Sequence, residues 1–361
     1  MSNLENDVTA MPEMSFGAQE YSLTRQLQVL SEDRPGSAWS KLTTQFWPGW
    51  GRWYHRHPRA PETEAEAKRA MRRYMPEMEA LILRLSEAAP DLPGLPSFLS
   101  YWCPPRYLVS CSQAAAQDAA GPYLIRNYDL DPNLNELTVL RSAWRGKRVI
   151  GMVDGLSGLS DGVNENGLAA SLSFGGRLVV GRGFGVPMIL RYILEVCTDL
   201  QDAVEALRHI PCHMSYNLTL TDRSGAAATV FLAPDRPAVI QPRPWATNHQ
   251  IGVELLAHGR YTETVLRGET LEIALAPGQV PASDMTQLFM QKPLYSTGYY
   301  KGYGTIFTSL YRPKDASLEL HFKDGRAGRW SVDQRRNQTM TIQYSDTGSA
   351  MIGRPVRGCK T

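Results

Sequence analysis

Short runs of β-branched and aromatic residues follow one another from Tyr107 to Phe174 without a helical stretch between them, and this succession constrains the fold most. Strand candidates lie at 107–111, 121–129, 137–142, 147–153 and 168–174. Others lie at 216–221, 227–232, 303–311, 316–322 and near 338–344. Parallel neighbours need crossovers of a dozen or more residues, usually helical, and most links in the first group are shorter. The turn Asn164-Glu165-Asn166-Gly167 reads as a hairpin connection. Helical periodicity is confined to blocks. One runs from Glu62 to Ala88 with a break at Pro76. The other is an amphipathic pair from Val186 to about Ile210, apolar at Ile189, Leu190, Ile193, Leu194, Val196, Ala203, Val204 and Leu207. Asp199 or Asp202 is placed to cap the second half of that pair. The pattern is that of an α+β layered sandwich, not of alternating βαβ units.

Residues 1 to about 40 carry no sustained period and read as a weakly structured arm. Phe46, Trp47, Trp50 and Trp53 follow, with two readings: packing of the arm on the body, or a lid over an apolar substrate. Pro90, Pro93, Pro96, Pro104 and Pro105 mark a loop-like stretch ahead of the strands.

A hydrophobic fraction of 43% with 20% charged residues is that of a globular protein. The formal net charge of +2 leaves no electrostatic footprint for nucleic acid or an anionic membrane. No apolar run reaches the ~18–20 residues that span a bilayer. The N-terminus is polar and acidic, unlike a secretory signal, so a cytoplasmic location is expected. The five cysteines are scattered, with no Cys-x-x-Cys and no Cys/His cluster. Neither a disulfide framework nor a zinc site follows from them, and no metal or cofactor is expected.

Four features bear on chemistry. Cys111 ends the first strand candidate, in Val109-Ser110-Cys111-Ser112-Gln113. Arg126-Asn127-Tyr128-Asp129 begins on the next one; Arg126 and Asp129 are three apart and face opposite sides of an ideal strand. Gly162-Val163-Asn164-Glu165-Asn166-Gly167-Leu168 leads into Ala169-Ala170-Ser171-Leu172-Ser173, and Ala246-Thr247-Asn248-His249 precedes Arg260. Each is weak alone, and a surface salt bridge explains Arg126 and Asp129 equally well.

In this order, together with Asn217-Leu218-Thr219-Leu220-Thr221-Asp222, they resemble a known family over roughly residues 60–275. It is the branch of N-terminal-nucleophile hydrolases that holds the penicillin acyltransferases and choloylglycine hydrolases, and the likeness is closest on the acyltransferase side. The resemblance implies a four-layer αββα sandwich of two antiparallel sheets. It implies a pro-segment, 1–110, wrapped on the outside, and a catalytic region, 111–361. Autocatalytic cleavage of Ser110–Cys111 would leave an αβ heterodimer. Cys111 would then be the nucleophile and its freed α-amine the general base, forming a thioester from a small-molecule acyl amide. The acceptor would be water or an amine co-substrate, and an acyl thioester is a second candidate donor. Arg126 would lower the thiol pKa, Asp129 would hold the α-amine, and Asn248 would donate to the oxyanion with the backbone N–H of Ser173. Arg260 would orient Asp129 and Asn248. Ser110 and Ser112 stand where the family usually has Gly and Thr, and Ser173 where it often has Asn.

Two other readings stay open. Gly158-Leu159-Ser160-Asp161-Gly162 fits the G-x-S-x-G nucleophile elbow, with Ser160 as nucleophile and His249 or His321 as base. That elbow needs a strand before it and a helix after it, and the second is missing. An uncleaved, non-catalytic relative that only binds acylated ligands is the other. Gly181-Arg182-Gly183-Phe184-Gly185 before a helix is a third, weaker pattern, since a dinucleotide loop would need Gly at Val186.

Overall fold

The computed structural model describes residues 21–56 and 62–346. Strand β1 (Tyr21–Glu32) comes first, then helices α1 (Ser37–His55), α2 (Glu62–Tyr74), α3 (Glu79–Ala88) and α4 (Leu95–Leu99). A run of strands follows: β2 (Ser110–Asp118), β3 (Gly121–Leu130), β4 (Thr138–Ser142), β5 (Val149–Asp154), β6 (Gly158–Asn164) and β7 (Ala169–Phe174). Helices α5 (Val186–Val196) and α6 (Leu200–His209) lead into β8 (Tyr216–Thr221), β9 (Ala227–Ala233), β10 (Arg236–Gln241) and β11 (Trp245–Ala246). Next are α7 (Leu256–Tyr261), α8 (Thr264–Leu275) and α9 (Ala282–Phe289). The last strands are β12 (Gly304–Arg312), β13 (Ser317–His321), β14 (Ala327–Ser331) and β15 (Gln338–Asp346).

The strands form two sheets, a nine-stranded one in the order β10-β9-β8-β7-β6-β5-β4-β1-β15 and a six-stranded one in the order β11-β2-β3-β12-β13-β14. They lie face to face, with β2 and β3 against β7 and β8. Helices α5 and α6 cover the outer face of the larger sheet, and α8 and α9 cover that of the smaller. This is the four-layer αββα sandwich. Its main core fills the space between the sheets and extends under α1 to α4, and a smaller core lies beneath α8 and α9.

Helix signals in the sequence translate directly. The α5–α6 pair is capped by Asp199, whose carboxylate accepts the Asp202 N–H at 3.0 Å. Pro76 opens a single 3-10 turn between α2 and α3.

Three expectations change. The strand that carries Cys111 begins at Ser110 and runs through the alanine-rich link between the candidates at 107–111 and 121–129. Alanine has little β propensity, yet its small side chain lets layers approach: Ala115 faces the sheet interface with Cys111, and Ala114 faces the core under α8 and α9. The arm is ordered from Tyr21; residues 1–20 lie outside the described residues. Strand β1 does not wrap the outside but sits between β15, antiparallel, and β4, parallel, so the larger sheet is not wholly antiparallel. Its period is hidden because Arg25 falls in the inward row of Leu23, Leu27 and Val29, its guanidinium spent on the carbonyls of Pro132 and Asn135. Strand β6 also escaped the sequence, being rich in glycine. A Cβ at Gly151 on β5 would lie 2.2 Å from the Asp161 carbonyl oxygen, so the close β5–β6 approach requires that glycine.

Candidate active site

Cys111 lies near the start of β2, fully buried, with its cross-strand partner Tyr128 on β3. Register assigns the two sides of this hairpin. Cys111 and Gln113 share a face with Arg126 and Tyr128; Ser110 and Ser112 share the other with Asn127 and Asp129. Arg126 and Asp129 thus do point to opposite faces, yet both reach residue 111, one from its thiol side and one from the side of the preceding peptide.

On the thiol side, Arg126 Nη2 donates to Cys111 Sγ at 3.2 Å. Its Nε donates to the Leu172 carbonyl at 3.0 Å, its Nη1 pairs with Asp161 at 3.1 Å, and its guanidinium carbon stands 4.1 Å from the Tyr128 ring centroid. Asp161 is itself held by the hydroxyls of Ser160, Ser309 and Tyr311, at 3.2, 2.7 and 3.0 Å. Both members of the ion pair are fully buried. Removing one partner strands the other charge, a loss of about 3–5 kcal/mol. Asp161→Ala is expected to lower unfolding stability by that amount in urea titration, whereas an exposed pair such as Lys68–Glu64 should change it by under about 1 kcal/mol.

On the other side stand Asn248 and Arg267. Asn248 Oδ1 accepts from the Cys111 backbone N–H at 3.2 Å, from Ser110 Oγ at 2.7 Å and from Arg267 Nη2 at 2.7 Å. Since arginine only donates, the amide oxygen must face it. Asn248 Nδ2 therefore points away, toward Phe174 O at 3.1 Å and Val109 O at 3.4 Å. Arg267 also donates to Cys111 O at 2.7 Å and Ser112 Oγ at 2.9 Å, and stands 3.8 Å from Asp129. Thr305 Oγ1 donates to the Asp129 carboxylate at 2.6 Å. Burial pushes Asp129 up to about 6, against the opposing pull of Arg267 and the Thr305 bond.

The expected site residues divide. Cys111, Arg126, Asp129 and Asn248 converge. The Ser173 hydroxyl donates to Thr247 O at 2.9 Å and, with Asn217 Nδ2 on the same carbonyl, braces the Thr247-Asn248-His249 segment. Arg260 is exposed on α7, and the arginine that reaches Asn248 and Asp129 is Arg267. The chain turns between α7 and α8 at Glu263 (φ 51°), which aims α8 inward, and Arg267 Nε anchors the turn on Thr262 O at 2.7 Å. Reading Thr264, Arg267, Gly268 and Leu271 as one helical face would have found it. Asp161 was hidden in the G-x-S-x-G pattern. There Ser160 is buried mid-strand, donates to Asp161 and is followed by a strand pair, so no elbow forms. His249 lies on Thr264 Oγ1 at 3.0 Å and is pushed down to about 4 by burial, then by Arg243 and Arg267. The glycine-rich 181–185 loop is pinned to the 211–213 segment, with Gly183 against the Cys212 backbone. Cys103, Cys197 and Cys212 form no disulfide among the described residues; Cys359 lies outside them.

Tyr128 reaches Tyr107 and Asp154, which line a pocket of about 520 Å³, including space open to solvent. Trp50 and Trp53 of α1 border it, while Trp39 and Trp47 of the same helix are buried in the core. The tryptophan stretch thus packs on the body and also lines a cavity. Among the described residues, no helix is long and apolar enough to cross a membrane.

The profile of the acyl-coenzyme A:6-aminopenicillanic acid acyl-transferase family matches residues 116–327, more than half of the chain. The chain belongs to that family. The matched region starts on β2 just past Cys111 and includes Arg126, Asp129, Asp161, Asn248 and Arg267. No curated protein matches the chain. Among solved structures it is similar to a point mutant of conjugated bile acid hydrolase from Clostridium perfringens, at 12% identity and a TM-score of 0.45, over 64% of this chain and 96% of that one. Penicillin V acylase from Agrobacterium tumefaciens is similar at 12% identity and a TM-score of 0.42, over 64% and 90%. The Caenorhabditis elegans N-acylethanolamine-hydrolyzing acid amidase ortholog is similar at 15% identity and a TM-score of 0.36, over 56% and 93%.

Proposed function

We propose that the protein is a cysteine hydrolase or acyltransferase that activates itself by cutting Ser110–Cys111 and then takes the acyl group of an amide onto Cys111. The observation that carries this reading is the grip on residue 111 from both sides, Arg126 on its thiol and Asn248 on its amide nitrogen. Family membership supports the same chemistry.

In the uncleaved chain the thiol is latent. Burial pushes Cys111 up to about 12, further than the Arg126 charge pulls it down. Its α-nitrogen is an amide that donates to Asn248 and has no basic lone pair. For self-cleavage, Cys111 Sγ adds to the Ser110 carbonyl carbon and the C–N bond breaks toward the α-nitrogen, which takes the thiol proton. Water then hydrolyses the Ser110 thioester. The products are a Ser110 carboxylate and a free Cys111 thiol and α-amine.

That amine, with an ordinary pKa of about 7.7–8.0, is suited to take the thiol proton in turnover. The thiolate, facing Arg126, attacks the acyl carbon of the substrate. The amine returns the proton to the departing nitrogen, leaving an acyl thioester for water or an amine acceptor. Asn248 Nδ2, which bonds Val109 O in the uncleaved chain, is freed for the substrate oxyanion once residues 109 and 110 withdraw. Asp129 lies opposite residue 110 in the hairpin, on the side where the new α-amine emerges.

Thiol activation is tested by iodoacetamide labelling of Cys111 against pH. In a cleavage-blocked chain, labelling should be slow at pH 7 and rise about tenfold per pH unit through pH 9, since the thiolate fraction limits it. The mature enzyme should reach half-maximal labelling below the free-cysteine value of about 8.5, and Arg126→Leu should shift that midpoint upward. One common midpoint for all three contradicts activation by the amine and by Arg126.

A further inference from the structure

The aromatic pocket has a polar floor. Its walls carry Trp50, Trp53, Phe98, Tyr101, Tyr107 and Tyr216, and the carboxylate-bearing residue among its lining is Asp154 at the end of β5. Asp154 is 1% exposed. The hydroxyls of Tyr107 and Tyr128 lie within hydrogen-bond reach of its carboxylate, at 3.1 and 3.0 Å, and of each other, so with Asp154 ionised their two protons serve two of these three contacts. Among the described residues no lysine or arginine forms an ion pair with it. The Arg126 charge reaches Asp154 only at a distance, because its guanidinium lies over the Tyr128 ring and is ion-paired with Asp161. His213, also in the lining, has its Nδ1 on the Gly181 carbonyl at 2.6 Å. A second buried acid stands close by: Glu136 accepts from Trp50 Nε1 at 2.8 Å and Leu156 N at 2.7 Å, and its Oε2 has no hydrogen-bond partner. Glycine at 155 lets the Tyr101 ring pack against the end of β5, since a Cβ there would lie 2.7 Å from the Tyr101 hydroxyl.

Burying an ionised carboxylate without a direct ion-pair partner is costly. Aromatic faces around a cavity attract a cation through their quadrupoles, and a desolvated cage does so more strongly. We infer that this pocket binds an organic ammonium group, quaternary or protonated, seated among the Trp50, Trp53, Tyr107 and Tyr216 side chains with Asp154 as its counter-charge. Burial raises the pKa of both acids; repulsion from Asp154 lifts Glu136 further, while the tyrosine bonds and the Arg126 charge draw Asp154 back down. Glu136 therefore keeps the proton, and Asp154 supplies the charge near neutral pH. Tyr128 joins this floor to the nucleophile, since it bonds Asp154 and is the cross-strand partner of Cys111. The pocket is a substrate subsite only if the proposed acyl chemistry holds; the binding itself does not depend on it.

The test uses the full-length Cys111→Ala chain, so that binding is read without turnover. Choline and its uncharged isostere 3,3-dimethylbutan-1-ol are titrated by tryptophan fluorescence and calorimetry. Choline is expected to bind at least about tenfold more tightly than the isostere. Asp154→Asn should bring the ratio close to one, and Trp53→Leu should weaken choline by roughly 2- to 30-fold. Equal affinities, no choline binding, or an unchanged ratio in Asp154→Asn overturns the inference. Should Asp154→Asn fail to fold, undiminished choline binding by Trp53→Leu overturns it instead. Failure here leaves the Cys111 labelling result untouched, and failure of that labelling leaves choline binding untouched.

Discussion

Cys111→Ala is expected to leave one uncleaved chain with turnover lost, on the order of 10⁴-fold or more, the scale on which removing a covalent nucleophile acts. The substitution removes a single sulfur from a site otherwise intact. Arg126 keeps Asp161 and Leu172, and Asn248 keeps Arg267, so the fold should survive. Loss of activity with an unchanged unfolding transition separates chemistry from collapse. Cys103→Ala, Cys197→Ala and Cys212→Ala should keep most of the activity, because none of these thiols contacts the Arg126 or Asn248 network. An active Cys111→Ala enzyme would require another nucleophile.

The second large effect is expected at Asn248. Asn248→Ala should lose about 10²–10³ in turnover, the typical loss for one oxyanion donor, while Cys111 still labels. Alanine also strands the Arg267 Nη2 donor that Oδ1 satisfies. Asn248→Asp separates the two effects, because it keeps an acceptor for Arg267 and loses the NH₂ donor. A matching loss in both variants assigns the effect to the donor. Turnover within a few-fold of wild type in Asn248→Asp would make Asn248 a structural residue.

What the sequence made legible follows physical lines. Periodic helices carry their signal in apolar spacing and caps, as in α5 and α6 with Asp199, and these were readable. Strands buried on both sides lack alternation. β2 and β6 therefore looked like a link and a glycine-rich motif, although β2 carries Cys111. Convergence of Cys111, Arg126, Asp129 and Asn248 was legible through the order of several short motifs. Arg267 and Asp161 were not, because each joins the network around Cys111 through a tertiary event. For Arg267 it is the inward turn at Glu263; for Asp161 it is the packing of β6 against β3 through Arg126. The contribution of β1 to the larger sheet was hidden by a charged residue in its apolar row. It has a consequence for a cleaved molecule: residues 1–110 would stay attached through both edges of β1.

The most direct measurement is the mass of the two-chain or one-chain species in purified protein, with the N-terminal sequence of the larger fragment and activity on a panel of N-acyl amides. Fragments corresponding to residues 1–110 and 111–361 that co-elute under native conditions, the larger beginning Cys-Ser-Gln, are the expected result, with amide turnover in that species. A single full-length chain, whether active or inert, would contradict the proposal that a freed Cys111 amine drives the chemistry.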